Sequence, residues 1–171
     1  MSQSNGLGRL FLLFILTLAI SLGIFFWTPR TGGSLLDFLS SVSEVQERLQ
    51  QMSAAQKNSH FLLTLLLDMP FPIVYGSFLA GLVLESFGKT KKWLLIPALL
   101  AIPVDLSENV IQLLALRGYE ALLSVKAILT PTKMILVFAM AIPIALAALI
   151  NLIRQRVALA QSSSNDSNPS N

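Results

Sequence analysis

The stretch WLLIPALLAIPVDLSENVIQLLAL, residues 93–116, decides the fold. As a helix it is long enough to cross a hydrocarbon layer of ~30 Å, which takes about 20 apolar residues. Its second half nevertheless carries Asp105, Glu108, Asn109 and Gln112. At i, i+3, i+4 and i+7 these four share one helical face, whereas Ser107 points elsewhere. An ionised acid at mid-span costs about 2.5–3.5 kcal/mol on the insertion scale, so two cost about 5–7 kcal/mol. The thirteen Leu, Ile and Val residues of the same stretch return about 4–8 kcal/mol. Insertion is feasible with a thin margin, and the polar face must meet protein or water, not lipid.

Three more apolar blocks lie outward from this one, at Leu10 to Trp27, Phe61 to Leu84 and Met134 to Ile153. With 54% hydrophobic and 12% charged residues and a mean hydropathy of +0.69, the chain lies outside soluble-domain composition, which is about a quarter charged. The expectation is all-α: a polytopic integral membrane protein, a four-transmembrane-helix bundle with spans at about 10–27, 61–84, 93–116 and 134–153. A formal charge of +3 without a basic stripe argues against nucleic acid. Lys89, Lys91 and Lys92 read as a topology anchor beside a span. The chain has no cysteine, which excludes disulfides, thiol nucleophiles and Cys-type zinc sites.

Residues 1–9 form a polar N-terminus ending in Arg9. The apolar run after it closes on Phe25, Phe26 and Trp27, which predicts a retained span in place of a cleaved signal peptide. Leu35, Phe38, Val42, Val45, Leu49 and Met52 recur at helical spacing and predict an amphipathic interfacial helix over 34–53, opened by Ser34 and Asp37 as a capping-box variant. A lid over a polar site and a dimer contact are the other uses of that stripe. Residues 117–132 predict a half-immersed helical stretch, and the Ser/Asn-rich 161–171 a disordered tail. Arg9, Lys89, Lys91, Lys92, Arg154 and Arg156 fall on one side, against Arg30, Arg48, Lys57, Arg117, Lys126 and Lys133. The even split leaves cytoplasmic N- and C-termini, in a plasma or inner membrane, as the expected orientation on the strength of the tight clustering at span ends.

The second span, FLLTLLLDMPFPIVYGSFLAG, supplies the facing wall. Asp68 and Tyr75 are seven residues apart and share a face. A short turn makes the second and third spans antiparallel, so Asp68 matches Glu108 and Asn109 in depth, roughly 10–12 Å below the surface. Pro70, Pro72 and Pro103 release carbonyls one turn earlier, among them that of Asp68, and freed carbonyls at that depth need protein or a wet cavity. Lys133 reads as a lysine snorkelling at a span end or as an ion-pair partner of Glu108 or Asp68, and His60 as an interface residue or a proton acceptor. Gly76 with Ala80, Ser77 with Gly81, and Ala141 with Ala145 are spaced for close helix packing.

The candidate site is therefore Asp68, Tyr75, Asp105, Glu108, Asn109, Gln112 and Lys133. Asp68, Asp105 and Glu108 are the candidates for a bound hard cation, the only cofactor the residues suggest. One lysine against three acids leaves negative charge to be met by protons, a cation or water. Three readings stand: binding or translocating a cation, a proton or an amphiphile; a structural or accessory subunit of a membrane complex; and a lipid-modifying enzyme. No catalytic or cofactor motif favours the enzyme. The expected partners are the lipid bilayer and, for transport by so few spans, a second copy or another membrane protein.

Overall fold

A computed structural model of the protein describes residues 3–166. All regular structure among the described residues is helical: α1 (Gln3–Trp27), α2 (Val42–Gln51), α3 (Ala54–Leu63), α4 (Phe71–Phe87), α5 (Ile96–Leu116), α6 (Leu123–Met134) and α7 (Ile142–Asp166), with short 3-10 and π turns between them. They join into four helical segments long and apolar enough to cross a membrane: Gly6–Thr31, Ala54–Phe87, Thr90–Leu116 and Leu123–Ala158. Each exceeds the apolar block that announced it, and in the second a capped polar turn extends the helix. Ser53 opens α3 by accepting from the Gln56 amide while the Gln56 side chain accepts from its own.

Two π-helical turns interrupt the second and fourth segments, Thr64–Asp68 and Ile135–Ala141. Each ends two residues before a proline, Pro70 and Pro143. Because proline cannot donate to the turn before it, the preceding amides reach back five residues instead of four: Met69 N–H to Thr64 O at 2.8 Å and Ile142 N–H to Val137 O.

α4 is the central helix and packs against α1, α5 and α7. The small residues expected there bring helices close. Ala80, Ala98 and Ala141 form one buried cluster, and a Cβ added to Gly76 would lie 2.5 Å from Ile102 Cγ1 of α5. At one end of the bundle Leu10, Leu82, Val83, Ala145 and Ala148 close the core. At the other, Val45 and Leu49 of α2 and Met52 just after it pack on Ala115, Leu116 and Leu123, turning the amphipathic stripe onto the ends of α5 and α6.

Three expectations need correction. The amphipathic helix does not run over 34–53 from a cap at Ser34. Leu35 and Leu39 are extended on either side of a 3-10 turn at Leu36–Phe38, and α2 starts at a full capping box formed by Ser41 and Glu44. The earlier residues are held outside the helix by long-range bonds: the Lys126 ammonium donates to the carbonyls of Leu36 and Leu39, and the Leu36 amide donates to His60. The stretch after α5 turns at residues 117–122 and then continues from α6 through the π turn into α7 as one helical segment. α7 itself persists to Asp166, into the stretch expected to lack structure; residues 167–171 lie outside the described ones.

Candidate functional site

The polar face of α5 meets two elements that sequence reasoning placed beside it and one that it did not. Tyr75 on α4 donates its hydroxyl to Asp105 Oδ2 at 2.9 Å. The Asn109 amide donates to the backbone carbonyl of Asp68 at 3.0 Å, the group left without its helical donor by Pro72. From the fourth segment Lys133 Nζ reaches Glu108 Oε2 at 2.6 Å and Asp105 Oδ1 at 3.3 Å. Lys133 is thus an internal ion-pair partner and does not snorkel.

The unexpected element is the 3-10 turn at Leu36–Phe38. It brings Asp37 into the bundle, where Asp37 Oδ1 accepts from Gln112 Nε2 at 2.9 Å and lies 3.4 Å from Lys133 Nζ. Lys126 fixes the turn. Its ammonium, fully buried, donates to Leu36 O at 2.8 Å, Leu39 O at 2.9 Å and Glu108 Oε1 at 2.9 Å. Thr130 donates to the same Glu108 oxygen at 2.6 Å. His60, expected at an interface, is also fully buried. Its Nε2 accepts from the Leu36 amide at 3.2 Å, which puts the ring proton on Nδ1, 3.2 Å from Thr64 Oγ1.

All seven candidate residues lie in this network, with Asp37, Lys126 and Thr130 added. One signal for the additions was present in the sequence: Lys126, Thr130 and Lys133 are at i, i+4 and i+7, a polar stripe that complements 105, 109 and 112. Asp37 had no such signal.

The expected cation set also changes. Oxygens of Asp37, Asp105 and Glu108, not of Asp68, come within 4.8 Å of one another, and the Lys133 ammonium lies 3.4, 3.3 and 2.6 Å from them. It stands where a shared cation would, so these acids already hold a positive charge supplied by the chain.

A cavity of about 390 Å³ opens beside the cluster. One end is polar, formed by Asp37, Asp68, Asp105, Tyr75 and Lys133. The rest is apolar, from Ile24 on α1, Phe71, Phe78 and Leu79 on α4, and Val137, Phe138 and Ile142 on the fourth segment. Glu108, Asn109, Gln112, Lys126 and Thr130 do not line it. Four buried side-chain oxygens have no hydrogen-bond donor among the described residues: Asp37 Oδ2 and Asp68 Oδ2, whose residues line the cavity, and Glu108 Oε2 and Gln112 Oε1, whose residues do not. Glu108 Oε2 has the Lys133 ammonium at 2.6 Å as its counter-charge, and the Asp37 and Asp68 carboxyl groups neighbour each other. A proton held between them, or a cation delivered from the cavity, supplies what is missing. The hydroxyls on the cavity wall are engaged, Thr17 with Leu13 O and Tyr75 with Asp105.

Comparisons with family models, with curated proteins and with solved structures gave no match. The chemistry of the cluster is therefore read from its own residues.

Proposed function

We propose that the chain is a multi-pass membrane protein, with one four-span domain over residues 10–160, that binds a small organic cation at the buried acid cluster. Membrane insertion is supported by the outward-facing side chains. Phe11, Phe25, Phe26, Ile128, Ile135 and Phe138 are all more than half exposed, a continuous apolar exterior that water does not tolerate. α2, lying across the ends of α5 and α6 with its polar side outward, sits at the membrane interface.

Orientation follows from the buried lysines. Lys126 and Lys133 are consumed by internal ion pairs and cease to count as loop charges. The six basic residues at the end that carries Arg9 and Arg154 then outnumber Arg30, Arg48, Lys57 and Arg117 at the other. By the positive-inside rule both termini are cytoplasmic, and the acid cluster lies in the non-cytoplasmic half.

The observation that carries the binding role is the charge balance at the cavity. Asp37, Asp68, Asp105 and Glu108 face two ammonium groups, those of Lys126 and Lys133, and the two buried carboxylate oxygens with neither a donor nor an ion-pair contact belong to Asp37 and Asp68, which line the cavity. Buried carboxylates without a donor or counter-charge are costly in hydrocarbon surroundings, and a cation entering the cavity relieves that cost. A purely structural role suits the other half: Glu108, Lys126 and Thr130 complete one another's bonding away from the cavity.

The test is thermal unfolding of the purified protein in a nonionic detergent with methylammonium, ethylammonium, Na⁺, Mg²⁺ or Ca²⁺. A ligand that binds only the folded state raises the midpoint with its concentration. Stabilisation by the organic cations that disappears in Asp68→Asn is expected. No stabilisation by any cation, or an equal rise in Asp68→Asn, overturns the reading.

A further inference from the structure

The cavity is shaped for more than an ion. Its acid end is at the level of Asp68, and the apolar part extends along α4 to Phe78 and Leu79. Ten to eleven helical residues at 1.5 Å each make that distance about 15 Å. With C–C bonds of about 1.5 Å in zigzag, roughly a dozen carbons span it. The volume of about 390 Å³ is within the range of small-molecule sites, about 300–1,000 Å³. The cavity also lies between two elements that pack little on each other. α1 packs along α4 and on the Thr64–Asp68 turn, whereas Ile135–Ala141 packs on α5 and on its own helix. The exposed ring of Phe138 stands on the cavity wall between them. In a bilayer that side faces lipid.

We propose that this cavity binds a single-chain lipophilic amine taken from the bilayer, its protonated primary amine between Asp37 and Asp68 and its chain along α4 toward Leu79. The assignment rests on the cation-binding reading above and names its ligand. The head must be cationic, because a fatty carboxylate adds another negative charge to four acids and an alcohol leaves the imbalance as it was. It must also carry N–H groups. Asp37 Oδ2 and Asp68 Oδ2 lack donors, and a quaternary ammonium has none to give. A hard metal ion does not use the chain-shaped part, and the most compact oxygen set already surrounds Lys133. The driving force lies in the head group. A chain leaving lipid for an apolar groove gains little by the hydrophobic effect, whereas a charge moved beside two carboxyl groups that each have an unserved oxygen gains a great deal.

The full-length protein in phosphatidylcholine nanodiscs, exposed to a dodecylamine bearing a diazirine at the chain end, tests this. After irradiation, crosslinked residues are mapped by mass spectrometry. Labelling is expected to concentrate at Phe78, Leu79 and Ile142 and to fall about tenfold with a tenfold excess of dodecylamine, but not with dodecanol, dodecanoate or dodecyltrimethylammonium. Leu79→Trp, which fills the far end and leaves the acids untouched, is expected to abolish that labelling while ethylammonium still raises the unfolding midpoint. Labelling spread over the lipid-facing side of α1 and unaffected by competitor overturns the proposal as simple partitioning. Competition by dodecanol equal to that by dodecylamine overturns both this ligand and the cation reading. Stabilisation by ethylammonium with no chain-end labelling in the cavity overturns the lipophilic amine alone.

Discussion

Replacing Lys126 by Met keeps the side chain's length and removes its charge. The ammonium it deletes is fully buried and bonded to Leu36 O, Leu39 O and Glu108 Oε1 at 2.8, 2.9 and 2.9 Å. Removing one partner of a buried ion pair costs about 3–5 kcal/mol. Glu108 keeps Lys133 at 2.6 Å and Thr130 at 2.6 Å, which holds the cost at the lower end, about 3 kcal/mol. For a chain of this size about 1 kcal/mol corresponds to roughly 2–4 °C, so the unfolding midpoint should fall by roughly 6–12 °C. The damage should also be local. The turn at Leu36–Phe38 loses its anchor, and its amides, with that of Leu39, should exchange hydrogen faster in Lys126→Met than in the parent protein. Glu108→Gln removes the other half of the pair, and the double variant should lose about 1–2 kcal/mol less than the sum of the single losses, the coupling expected of groups in contact. A fall of less than about 2 °C, additive effects in the double variant, or unchanged exchange over residues 36–39 would refute the claim that Lys126 holds Asp37 in the bundle.

Asn109→Leu deprives the buried Asp68 carbonyl of its donor at 3.0 Å and should cost about 1–3 kcal/mol in detergent unfolding. Pro72→Ala in that background restores an N–H four residues on and should recover part of the loss; no recovery would mean the carbonyl was not the cause. Acid stability tests Asp37. Burial pushes its carboxyl up, but the Lys133 ammonium and the Gln112 amide outweigh that and hold it below its ordinary 3.8. The unfolded chain then takes up the proton first, so the stabilisation is complete above 3.8 and is lost as pH falls through the lowered native value. Between about pH 5 and about pH 3 the unfolding midpoint of Asp37→Asn should fall less steeply than that of the parent protein; parallel curves would count against it.

The helices were legible because their cause is local. An apolar block of about 20 residues specifies a helix in lipid whatever surrounds it. The face formed by Asp105, Glu108, Asn109 and Gln112, its depth match with Asp68 and the freed carbonyl of Asp68 all follow from helical periodicity and from proline, and the geometry shows each of them. Asp37 was not legible, since nothing nearby in sequence holds it. Its position depends on Lys126, 89 residues later, taking the carbonyls of Leu36 and Leu39. In isolation Ser34-Leu35-Leu36-Asp37 looks like the opening of a helix, and only the long-range bonds forbid it. The partner of His60, the Leu36 amide 24 residues away, was out of reach of local reasoning for the same reason.

The two halves of the polar cluster differ in what they require. Glu108, Lys126 and Thr130 donate to and accept from one another, and that arrangement suffices to join α5, α6 and the Leu36–Phe38 turn. A bundle in need of glue alone could stop there, since well-packed apolar side chains in place of further buried ion pairs are often as stable or more so. Asp37 and Asp68 instead add two carboxylate oxygens that no donor among the described residues serves, each at about 1–3 kcal/mol if left that way. Both line the cavity, whereas the self-sufficient group is turned away from it. Gln112 Oε1, away from the cavity, also lacks a donor, but the buried carboxylate oxygens with neither a donor nor an ion-pair contact are the two whose residues line the cavity, the placement that the proposed binding role requires.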